Sequence, residues 1–149
     1  MSAIISAGAG FLLAVLWFDL MFDVQVMGRR GGELPEEVLA SIAGYYRRVT
    51  TAARPMNRLV AAVMLATLGT ITAQLAAGSA PAWVPWSSLA LALAAISRAA
   101  THTVPSAVRL GARSLPSAGQ SDLARTIWRD HVACAACIAA LLVIQLAFA

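Results

Sequence analysis

The stretch that decides the fold runs from Ser121 to Ala149 and reads Ser-Asp-Leu-Ala-Arg-Thr-Ile-Trp-Arg-Asp-His-Val-Ala-Cys-Ala-Ala-Cys, then Ile-Ala-Ala-Leu-Leu-Val-Ile-Gln-Leu-Ala-Phe-Ala. Its second part is hydrocarbon except for Gln145, while its first part holds most of the chemically capable side chains of the chain. At about 100° per residue on a helix, Asp130, Cys134, Cys137, Leu141 and Gln145 fall along one stripe with His131 on its flank. A stripe of that composition must face protein, because lipid offers no hydrogen-bond partners.

Working outward, the remaining sequence has the same character. Of 149 residues, 60% are hydrophobic and only 12% charged, and the mean hydropathy is +0.75. That is too apolar for a soluble domain of this size. The expected class is all-α, an integral membrane bundle of four transmembrane helices forming one domain over residues 1–149. The expected spans are 3–27, 55–77, 87–110 and 122–148, with an interfacial amphipathic helix over 36–53 between the first two. Pro35, Glu36 and Glu37 mark the start of that amphipathic segment, and Leu39, Ile42, Tyr46 and Val49 form its apolar face. The segment reads as a cytoplasmic extension of the second span or as a partner-docking helix. Trp83 and Trp86 suit the outer membrane interface. The Gly8-Ala9-Gly10 run allows close helix approach. Gly111 to Gln120 reads as a loop, with Ser121 as the N-cap of the last helix.

The net charge of +4 comes from eleven arginines with no lysine. They cluster in two segments, Arg29 to Arg58 and Arg98 to Arg129, with no charge between the second and third hydrophobic runs. This positive-inside pattern assigns both segments to the cytoplasm and both termini to the opposite side of a bacterial inner membrane. It accounts for the basic balance without nucleic acid. The first apolar run lacks a basic leader and is followed by Asp19 and Asp23, so it reads as a retained helix rather than a signal peptide.

Asp19 and Asp23 lie one turn apart inside that first span. Uncompensated charge at such depth costs at least about 2.5 kcal/mol per residue, so these carboxylates are expected to be protonated, paired or ligating. Candidate partners are Arg58, Arg98 and a histidine, and Asp19, Asp23, Arg58 and Arg98 are the candidate catalytic set. His102 and His131, the two histidines of the chain, come out about 12–15 Å from the cytoplasmic helix ends, as does Asp19. They are candidates for axial ligation of haem b. They read equally as ligands, with Asp19 or Asp23, of a transition metal, and before either of these as hydrogen-bonded structural histidines. Cys134 and Cys137 form a CxxC in mid-helix. They read as small packing residues, as a redox pair, or, with His131, as ligands for a soft ion such as Cu(I). Pro105 removes a backbone donor beside His102 and is expected to kink the third span.

Three segments, Arg-Pro-Met-Asn-Arg (54–58), Thr-His-Thr-Val-Pro-Ser-Ala-Val-Arg-Leu (101–110) and Ile-Trp-Arg-Asp-His (127–131), carry a resemblance. With them the layout is similar to the broad class of small bacterial four-helix membrane proteins that includes the anthrone-oxygenase-like family. The topology also resembles small haem-binding membrane oxidases, although the first-span histidine of those proteins is missing here. Independently of the resemblance, the cytoplasmic-half polar pocket is expected to bind a haem, a metal or a lipophilic aromatic substrate and to perform membrane oxidoreduction. The alternatives are a non-catalytic accessory subunit of a larger membrane complex or homo-oligomer, and a small-molecule or ion transporter. No phosphate loop, nucleophile elbow or HExxH is present to support hydrolysis or nucleotide-driven work. Every charged residue falls on the Arg-rich side of the bilayer centre, so the polar pocket is expected to open to that side alone.

Overall fold

The protein is described by a computed structural model covering residues 1–29, 31–52 and 54–149. Arg30, and Ala53, the last residue of the expected interfacial helix, lie outside the described residues. All regular structure among the described residues is helical: α1 (Ser2–Asp23), α2 (Glu36–Arg47), α3 (Arg54–Ala77), α4 (Trp83–Arg98), α5 (Val104–Gly111) and α6 (Ser117–Phe148). Three segments are long and apolar enough to cross a membrane, Ser2–Val26, Pro55–Ala77 and Ser117–Phe148, with mean hydropathies of 2.0, 1.8 and 2.3.

The expected third span is divided. α4 runs into a π turn at Ala99–Thr103 before α5 begins. Pro105 explains the division, since it lacks the N–H that an uninterrupted α-helix would donate to the Thr101 carbonyl. A π turn absorbs the missing bond by widening the backbone, as such turns commonly do. A second π turn at Arg48–Ala52 stands in the same relation to Pro55. The consequence is a change of neighbours, because α4 packs on α3 and α6 whereas α5 packs mainly on α2.

Two cores result. The first joins α1, α3, α4 and α6 through Ile5, Ala9, Leu12, Ile71, Ala92, Ala95, Cys134, Ile138 and Leu141. Around it Leu65, Val143, Leu146, Trp17 and Phe18 point outward and are more than half exposed, an arrangement that only an apolar surrounding favours. Gly8 is a true point of close approach, since a Cβ there would lie 2.2 Å from Thr67 Oγ1, whereas Gly10 faces open space.

The second core lies at the Arg-rich end. Val38, Leu39, Ile42, Ala43 and Tyr46 of α2 bury against Ala107 and Leu110 of α5 and Ala124 and Ile127 of α6. The apolar face that the sequence offered to a partner is thus covered by the chain's own helices. At Gly111 a Cβ would come within 2.8 Å of the Arg47 backbone nitrogen, so only glycine lets α5 approach α2 this closely.

Two further local expectations are corrected. Ser121 is not an N-cap: α6 already starts at Ser117 behind Pro116. Ser121 instead donates to the Ser117 carbonyl (2.8 Å) and accepts from the Leu34 amide (2.9 Å), pinning the connection between α1 and α2 onto α6. Gly111 belongs to α5 rather than to a loop, leaving a connection of only residues 112–116. At the opposite end Ser79 lies 3.9 Å from the Met1 sulfur and Trp83 packs edge-on against Phe148. Both termini and the α3–α4 turn therefore share one end of the bundle.

Candidate functional site: an acid, imidazole and tyrosine cluster

Between the two cores lies a polar layer contributed by α1, α2 and α6. One helical turn separates Asp19 from Asp23, so both carboxylates face the same way, and His131 of α6 reaches between them. His131 Nδ1 is 2.6 Å from Asp23 Oδ2, and its Nε2 is 3.8 Å from Asp19 Oδ2. The other oxygen of each carboxylate is taken by a phenol. Tyr45 donates to Asp19 Oδ1 at 2.7 Å and Tyr46 donates to Asp23 Oδ1 at 2.6 Å. Asp23 is fully buried and His131 and Tyr46 nearly so. Asp19 retains 16% side-chain exposure, the most open point of its contact with the imidazole. Burial and the neighbouring carboxylates push both phenols well above the usual tyrosine range, which keeps them donors to the two acids.

A third acid, Asp130, stands one residue before His131 and is satisfied differently. Asp130 accepts from Arg98 at 2.8 Å and from Thr103 Oγ1 at 3.4 Å. Its guanidinium partner is half exposed while Asp130 is buried. Thr103 belongs to the π turn, so the backbone change forced by Pro105 also supplies this hydroxyl.

The sequence-derived candidates therefore separate. Asp19, Asp23 and His131 meet, and Arg98 meets Asp130. Arg58 and His102 are exposed, and neither has a carboxylate partner among the described residues. The imidazole expected at equal depth on the third span is thus turned outward while His131 is enclosed, and the pair of axial ligands for haem is not assembled. Cys134 is buried with its sulfur 3.5 Å from the Ala95 carbonyl, and Cys137 is half-buried. Among the described residues no group of three His, Cys, Asp or Glu side chains is disposed to hold a metal ion. His131 is already committed through Nδ1, and no reaction step is derived through haem or metal.

Tyr45 and Tyr46 escaped the sequence reading as functional residues. Tyr46 was legible only as an apolar position of α2. The usable signal was their number: the chain has two tyrosines, adjacent, on the amphipathic segment that follows the two acids.

Beside the cluster, Phe22 stacks on Tyr45 with ring centroids 4.0 Å apart and planes 11° from parallel. These two rings, with Ser41, Gly44, Arg47 and Arg48, line an open groove of about 370 Å³ on the flank of the bundle. The groove thus brings two aromatic rings and two arginines together beside the cluster. No protein-family model, curated protein or solved structure matches the chain.

Proposed function

We propose that this is an integral protein of the bacterial cytoplasmic membrane that binds a lipophilic aromatic molecule bearing an acidic hydroxyl and exchanges a proton with it at Asp19. In this reading α4, the π turn and α5 together form a fourth span, giving a four-helix bundle. The arginine distribution puts the polar cluster on the cytoplasmic side and both termini outside. The ligand enters laterally at the Phe22 and Tyr45 groove and stacks there. Its hydroxyl donates to the Tyr45 oxygen as Tyr45 passes its own proton to Asp19, so the ligand ends as an oxyanion facing Arg47 and Arg48 and Asp19 ends as a neutral acid. Electrons stay where they were.

The observation that carries this reading is that the two acids are joined, among the described residues, by an imidazole and two phenols and by no arginine. In a chain with eleven arginines, a fixed interhelical lock is met by a guanidinium, as at Asp130 and Arg98, which does not deprotonate in proteins. Asp19 and Asp23 are instead joined through an imidazole and two phenols, all groups that can exchange protons.

A second reading, in which the cluster is only interhelical glue in an accessory subunit, is favoured by one fact. Both oxygens of each carboxylate already face a polar group of the protein. Binding of 1-naphthol to the purified protein in lipid nanodiscs, followed by tryptophan fluorescence, separates the two. Proton exchange at Asp19 predicts saturable binding that weakens about tenfold or more in Asp19→Asn, the worth of a charge-assisted hydrogen bond. Leu65→Ala on the exposed apolar face should bind unchanged. Glue alone predicts no saturable binding in any variant.

A further inference from the structure

A second groove lies at the same end of the molecule, on the other side of α6, and plays no part in the proton-exchange reading. It measures about 450 Å³, and Gly28, Arg29, Gly31, Arg125, Trp128 and Arg129 form most of its wall. Among the described residues three arginines line it, and a single carboxylate forms an ion pair with any of them. Asp122 stands 3.6 Å from Arg125 Nη1 and is itself 82% exposed. Arg29 and Arg129 are exposed, and neither has an ion-pair partner among the described residues.

Arg125 is held in place by the turn rather than by an acid. Its Nη2 donates to the carbonyl of Gly32 at 2.7 Å, with the Arg29 and Gly31 carbonyls at 3.3 and 3.5 Å. That anchoring fixes the guanidinium plane, and its Nε is buried without an acceptor. An unpaired buried donor is costly to leave unmet. A fixed guanidinium flanked by two more is suited to the tetrahedral oxygens of phosphate.

Depth identifies the source of that phosphate. α6 has 32 residues and is about 48 Å long, against about 30 Å of hydrocarbon. Its apolar part is C-terminal, so Arg125 to Arg129 emerge at the headgroup level, and Trp128 has the amphipathic character of an interfacial anchor. We propose that this groove is a phosphate site that seats the headgroup of an anionic phospholipid, with Arg29, Arg125 and Arg129 as its ligating residues.

The test is native mass spectrometry of the full-length protein extracted from vesicles containing equal phosphatidylcholine and phosphatidylglycerol. Retention of phosphatidylglycerol over phosphatidylcholine is expected. It should fall roughly fivefold in each of Arg29→Gln and Arg129→Gln, the effect of one basic residue at a membrane surface. Neither arginine supports the fold through its side chain, so both variants should remain folded. Arg109→Gln, the same charge change at an exposed position of α5, should retain lipid like the wild type. Equal losses in all three variants would reduce the site to general surface charge and overturn the proposal. So would release of the bound lipid by millimolar inorganic phosphate, which would make the occupant a soluble anion.

Discussion

Two polar clusters lie along α6, one at its middle and one near its C-terminal end, and solve the same problem by different chemistry. His131, with Asp19, Asp23, Tyr45 and Tyr46, forms the mid-helix cluster. Gln145 lies 14 residues on, about 21 Å away along the helix axis. It exchanges amide hydrogen bonds with Gln74 at 3.1 and 3.3 Å and donates to Ser88 at 2.9 Å. All three are buried. The glutamine cluster itself contains no group able to change charge. The lesson is that uncharged hydrogen bonds beside an apolar core suffice to join α3, α4 and α6 there, so two carboxylates and an imidazole are not needed merely to hold helices together.

The largest expected effect contrasts the two clusters directly. Asp23→Ala leaves His131 and Tyr46 buried without their acceptor and should destabilise the protein by about 3–5 kcal/mol, the usual result of breaking a buried ion pair from one side. Gln145→Leu should cost only about 0.6–1.7 kcal/mol, the range found for hydrogen bonds between membrane helices. Unfolding of both variants in bicelles checks the difference. Equal losses would make the clusters equivalent and remove the distinction.

A smaller effect tests whether the charged cluster depends on the α2 lid. Gly111→Ala places a methyl group against the Arg47 backbone, and overpacking of this kind costs about 1–3 kcal/mol. Because α2 carries Tyr45 and Tyr46, this variant should loosen the charged cluster and leave the glutamine pair intact. Hydrogen exchange of the α2 amides, compared with those around Gln74, measures that selectivity.

The smallest effect is one of pH. Tyr45 and Tyr46 are raised from 10.0 by burial and by the acids they serve. An unfolded chain loses these protons near pH 10, whereas the folded one keeps them. Their contribution to stability is therefore complete below about pH 10 and is lost as pH rises beyond it. Tyrosinate absorbance should be absent from folded protein at pH 10 and should appear together with unfolding at higher pH. Ionisation at pH 10 without unfolding would mean that the phenols face water. The glutamine cluster has nothing to titrate in that range.

Much of this was written in the sequence, but unevenly. Helical class and the buried stripe of α6 followed from periodicity and hydropathy, and a partner for Asp23 followed from the cost of charge in hydrocarbon. The choice of His131 over His102 did not follow. Equal depth was readable from residue counts, whereas rotation about the helix axis was altered by the π turn at Ala99–Thr103, which shifts everything after it. Pro105 signalled a disturbance there without saying that it would be a widening rather than a kink. Tyr45 and Tyr46 were hidden for another reason: phenols read as apolar by pattern and act as donors only once a buried acid is placed beside them. The fold of the 27–35 connection over α6, set by Ser121 and Arg125, depends on contacts nearly ninety residues apart and more, which no local pattern encodes.

The central claim is that Asp19 takes a proton when a ligand binds, and infrared difference spectroscopy of the protein in nanodiscs tests it most directly. Adding 1-naphthol should produce the carbonyl stretch of a protonated carboxylic acid together with the bands of a naphtholate. The carboxyl band should vanish in Asp19→Asn and persist in Asp130→Asn, whose wild-type acid is held by Arg98. Saturable binding with no new carboxyl band, or a band that survives in Asp19→Asn, would contradict proton transfer to Asp19.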